Sequence, residues 1–166
     1  IAGIEYSRPK ARHEVAAAIR LAAAIVGSGD GRWAVTLARR AAGRTSAPKP
    51  EVICPARHVV ATEAAVVAEV TAAAQALLDV AVAKWAAARR GPLAIFEEAS
   101  QYWATTGAFD DEALYGNDYS GGDLGQPEPA LVWAGVTTVD LRAAEFGRHA
   151  DDVWRAVAGL RTGTAS

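Results

Sequence analysis

The sequence predicts a mostly α-helical single domain over residues 1–166: a helical bundle with a long central helix, one long acidic loop and at most a minor β-strand element. Three observations lead there. Alanine supplies 40 of the 166 residues, and it has the highest intrinsic helix propensity. Apolar positions recur at helical period between Gly and Pro stop signals. A single stretch, "ALVWAGVTT" (130–138), resembles a strand, and a lone strand needs a partner.

The first helix has Ser7 as its cap and Pro9 close behind. Val15, Ile19, Ala22 and Val26 then form one apolar stripe, and Gly27 to Gly31 end it. A second helix over 32–42 places Ala34, Leu37, Ala38 and Ala41 on one side, with Gly43 as a natural stop. These two make an N-terminal helical hairpin. A Pro-rich linker, residues 48–55, joins it to the main bundle.

Pro55 opens the longest helical run, about 56 to 90, which Gly91 and Pro92 close. Its polar residues Glu63, Glu69, Gln75, Asp79 and Lys84 do not gather on one face. A helix apolar nearly all round belongs at the centre of a bundle or of an oligomer. Unbroken, it would run roughly 50 Å.

Leu93 to Thr105 reads as a further helix with Ile95, Phe96, Ala99, Tyr102 and Trp103 as packing residues. Residues 106–129 hold five glycines and two prolines and read as one long loop. After the strand-like stretch, Thr138 or Asp140 caps a short helix to Phe146, and Gly147 breaks it. The last helix runs from His149 to Leu160, with Val153, Trp154, Val157 and Leu160 on one face.

Composition limits the function classes. One cysteine excludes an intrachain disulfide and offers no zinc-finger spacing. The most apolar run, 59–83, carries Glu63, Glu69 and Asp79, too much charge for a comfortable membrane span. The expectation is therefore a soluble, cytoplasmic protein without a membrane role. Charge is segregated: residues 1–60 hold ten Lys/Arg against four Asp/Glu, whereas residues 91–141 hold nine acidic residues and no Lys or Arg. Such polarity suits self-association or a protein partner through complementary charge. The pI near 5.9 favours that over nucleic acid.

Four stretches carry candidate chemistry. "GSGDGRW" (27–33) is a glycine-rich turn, but it follows a helix rather than a strand and lacks the P-loop Lys-Ser/Thr pair. It reads as a helix–helix turn. "EVICPARH" (51–58) sets Cys54 ahead of a helix start, with Arg57 and His58 in the first turn. Helix dipole and cations both favour the thiolate, so Cys54 is the candidate nucleophile or redox centre.

The stretch 117–128 has Gly, Leu and Glu at the sixth, eighth and twelfth places of an EF-hand loop. Tyr119 and Gly121 stand where oxygen ligands are required, so no metal site is expected. Tyr115, Asp118, Tyr119 and Asp123 remain as a candidate partner-binding group in the acidic loop, where aromatics can serve as hot spots.

The fourth stretch is "LRAAEFGRHADDVW" (141–154). Arg142-x6-His149 resembles the R-x(4–6)-H motif of HEPN-type helical ribonucleases, a resemblance covering eight residues. It implies an Arg/His pair in a dimer cleft acting on an RNA phosphate. The residues also read more simply. Asp151 and Asp152 suit the first turn of a helix, where negative charge complements the N-terminus, and Trp154 docks that helix on the core.

The leading expectation is a non-enzymatic helical interaction or assembly subunit without a cofactor. The alternatives are a Cys54 enzyme and an Arg142/His149 ribonuclease.

Overall fold

A computed structural model describes residues 11–29, 64–117 and 121–161. They form seven helices and no strand among the described residues: α1 (Ala11–Ser28), α2 (Ala64–Ala88), α3 (Glu98–Thr106), α4 (Asp111–Tyr115), α5 (Pro127–Trp133), α6 (Thr138–Ala143) and α7 (Phe146–Arg161). The mostly α-helical bundle read from the sequence is the observed architecture. The expected second helix over 32–42, the linker 48–55 and the start of the long run near Pro55 lie outside the described residues.

Helix α7 joins two cores. Its C-terminal half brings Trp154, Val157 and Leu160 against Leu21, Ala22 and Ile25 of α1 and Val70, Ala74 and Leu77 of α2. Its N-terminal half brings Phe146 and Ala150 against Phe96, Ala99, Leu114 and Leu141. Aromatic rings fill this second core: Phe146 stacks on Phe96 and Phe109 and meets Trp103 edge-on at 5.7 Å. Alanine-rich helices bury little area per residue, and burial stabilises by about 25 cal/mol per Å². The aromatics therefore supply bulk that the alanines cannot.

Several boundaries differ from the sequence reading. Gly147 does not break a helix; it lies inside α7, where the Trp103 ring occupies the place of a β-carbon. The turn between α6 and α7 is made instead by Glu145, a non-glycine residue at φ 57°. The strand-like stretch 130–138 is the end of α5, a turn at Gly135 (φ 73°) and the entrance to α6. Pro127 sits in the first turn of α5, where its missing N–H costs nothing and its fixed φ favours the helix. The α6 cap is Thr137 rather than Thr138 or Asp140: its side chain accepts from the Asp140 N–H, and Asp140 accepts from the Thr137 N–H in return.

The long loop contains structure of its own. Asp110 caps α4, accepting from the Glu112 and Ala113 N–H groups. The chain then returns so that Asp123 and Leu124 N–H donate to the Ala113 and Leu114 carbonyls at 2.8 and 2.9 Å. Gly122 makes this return possible, with φ 60° and a β-carbon position only 2.7 Å from the Leu114 carbonyl oxygen.

The α1 stripe is also rotated. The fully buried positions are Ala11, Glu14, Ala17, Ala18, Leu21, Ala22 and Ile25, while Val15, Ile19 and Val26 are half-buried. Among the described residues, helix α2 packs chiefly on α1 and α7. The stretch Val66–Ala88 is long and apolar enough to cross a membrane.

Candidate functional site

The half-buried Val15 and Ile19 face a cleft of about 580 Å³ lying between the two cores. Helix α1 gives one wall with Arg12, Val15, Ala16 and Ile19; α2 gives another with Leu77, Val80, Ala81 and Lys84. Val153 and Trp154 of α7 form part of the lining. Ile95, Phe96 and Glu97 close the far side with Asp123, Gln126, Glu128 and Pro129. Alanines at positions 16 and 81 leave room that larger side chains would fill. The volume falls in the range of about 300–1,000 Å³ usual for small-molecule sites.

Three polar arrangements surround these apolar walls. Arg12 Nη1 bonds Glu97 Oε1 at 2.9 Å. Lys84 Nζ lies 2.5 Å from Asp152 Oδ2 and 2.9 Å from His149 Nδ1. An ammonium has only protons to give, so His149 accepts at Nδ1 and carries its proton on Nε2. Burial holds His149 below its ordinary range, and the Lys84 and Arg148 charges act in the same direction. The hydrogen bond from Lys84 holds the Asp152 carboxyl below its usual range.

Asp123 is the third arrangement. It is only 5% exposed, and its Oδ2 accepts the Ala99 N–H at 2.8 Å. Glu97, the N-cap residue of α3, makes no side-chain cap bond. Asp123 reaches across from the loop to take that role, and Ser100 Oγ accepts the Phe96 N–H at 2.9 Å beside it. These bonds start α3 at Glu98, so Leu93 to Phe96, expected to be helical, is non-helical and presents Ile95 to the cleft. Burial pushes the Asp123 carboxyl up to about 6, the Ala99 N–H pulls it down, and Glu97 and Glu98 push it up further.

The residues singled out from sequence are distributed as follows. Cys54, Arg57, His58, Asp118 and Tyr119 lie outside the described residues. Tyr115 is exposed, and its hydroxyl donates to the Val136 carbonyl at 3.4 Å. Asp123 is inside the protein at the cleft. Arg142 lies over the rings of Phe109 and Trp103, 5.1 and 5.9 Å from their centroids, while His149 is engaged with Lys84. Arg142 and His149 thus have separate partners. Among the described residues, no group of three His, Cys, Asp or Glu side chains could hold a metal ion.

Lys84, Glu128 and Trp154 also belong to the cleft, and no sequence motif links them. Lys84 carried a usable signal: it is the sole Lys or Arg in α2, and a cation alone in an apolar helix needs a partner. Comparison of the chain with protein-family models, curated proteins and solved structures returns no match.

Proposed function

We propose that this chain is a non-enzymatic helical binding protein whose cleft takes up a small ligand with an apolar body. The cleft itself carries the reading: an apolar-walled volume of about 580 Å³ with a few polar groups at its margin. The margin favours binding over bond-making chemistry. Arg12 is tied to Glu97, and Lys84 to Asp152 and His149. Calorimetric titration with 1-octanol tests the reading. Saturable binding by the wild type, abolished by filling the cleft with Ala81→Phe, is the expected result. Equal binding by both proteins contradicts it.

A second reading, assembly through complementary helical faces, is favoured by exposed apolar side chains elsewhere. Val82 and Trp85 on α2 are each 63% exposed, and Leu131 and Val139 are 87% and 72% exposed. Sedimentation at two ionic strengths checks it, with Val82→Glu/Trp85→Glu expected to yield a monomer from any larger species. A wild-type protein that is monomeric at both salt concentrations rejects assembly.

A further inference from the structure

Resting on the cleft as a ligand site, we propose that its ligand is a hydrophobic monocation, an alkyl or aryl body with an ammonium-type head seated against Asp123 and Glu128.

Size selects a small molecule. The cleft volume of about 580 Å³ falls in the range of about 300–1,000 Å³ usual for small-molecule sites, and its mostly aliphatic and aromatic walls suit an apolar body.

Charge selects the head group. Five ionisable side chains line the cleft: Arg12, Lys84, Glu97, Asp123 and Glu128. Both cations are already neutralised, Arg12 by Glu97 at 2.9 Å and Lys84 by Asp152 at 2.5 Å. Asp123 and Glu128 remain, and neither has a cationic partner among the described residues. Glu98 adds further negative charge around Asp123. An anion at this end meets repulsion, and a neutral head leaves the carboxylates as they were. A cation gives a nearly buried carboxylate the countercharge it lacks.

The test compares octylammonium, octanoate and 1-octanol by calorimetry at pH 7.5, on wild type, Asp123→Asn and Glu128→Gln. Asparagine keeps an oxygen for the Ala99 N–H, and circular dichroism checks that the fold is retained. Glu128 is exposed and makes no side-chain hydrogen bond among the described residues, so Glu128→Gln carries the test if Asp123→Asn does not fold. The expected result is octylammonium binding at least tenfold tighter than either homologue, with that preference falling at least threefold in each folded variant. Equal binding of all three ligands, or preference for octanoate, overturns the cation assignment and leaves the cleft as an apolar site. No binding of any of them overturns the cleft reading itself.

Discussion

The indole of Trp103 occupies the space that a β-carbon on Gly147 would require. This contact fixes how closely α3 approaches α7. It also places Trp103 within 4.9 Å of Phe109 and 5.7 Å of Phe146, ring centroid to centroid. Gly147→Ala should therefore force the indole out of its position and cost about 1–3 kcal/mol, the usual range for overpacking a core. Urea unfolding measures it. A variant as stable as the wild type would show that α3 and α7 are not held this closely.

Gly122 combines two constraints that Gly147 does not. Its φ of 60° is left-handed, and a β-carbon would meet the Leu114 and Tyr115 backbone, which cannot rotate away. Left-handed strain of about 1–2 kcal/mol adds to an overpacking cost of similar size. Gly122→Ala should thus lose about 2–4 kcal/mol in the same unfolding experiment. It should also loosen Asp123, the adjacent residue, and weaken binding in the cleft.

Asp123 and His149 give opposite pH dependences. The native Asp123 carboxyl titrates at about 6, above its ordinary 3.8. Its contribution to stability is fully present below pH 4 and is lost as pH rises through 6, up to about 3 kcal/mol in all. His149 is depressed, so its contribution is present above pH 6.5 and is lost as pH falls through its native value. Unfolding free energies between pH 4 and 7.5 separate the two. Relative to Asp123→Asn, the wild type should lose stability as pH rises; relative to His149→Gln, it should lose stability as pH falls. Parallel curves for all three proteins would contradict both assignments.

Lys84→Met removes the cation shared by Asp152 and His149. The His149 pKa should rise toward its ordinary value, because a nearby positive charge has gone, and the Asp152 carboxyl should rise as it loses its donor. NMR titration of the histidine ring reads the first shift directly. The cost in stability should be about 1 kcal/mol, since Asp152 is partly exposed and solvent screens the pair. An unchanged His149 titration would mean that Lys84 does not contact the ring.

Much of this fold is legible in the sequence because helical periodicity and caps act locally. The alanine-rich helices, the apolar face of α7 and a helix starting near Thr138 all follow from short-range signals. The Gly147 reading fails for a non-local reason: nothing near residue 147 announces that a tryptophan 44 positions earlier needs its space. The strand-like stretch 130–138 is not a strand because Pro127 and Pro129 just before it open helix α5. The cleft was half visible. Val15 and Ile19 read correctly as one apolar stripe, but periodicity does not tell a face that packs from a face that lines a cavity. Asp123 stood out only as one of several acidic loop residues. Its capping of α3 joins positions 24 residues apart, which spacing rules do not reach.

The most direct measurement of the central claim is methyl NMR of the wild type during titration with 1-octanol. The account predicts saturable shifts concentrated on Val15, Ile19, Leu77, Val80, Ile95 and Val153, which line the cleft. The Leu131 and Val139 methyls, exposed on α5 and α6, should stay unmoved. Shifts at Leu131 and Val139 with none at the cleft methyls would contradict it.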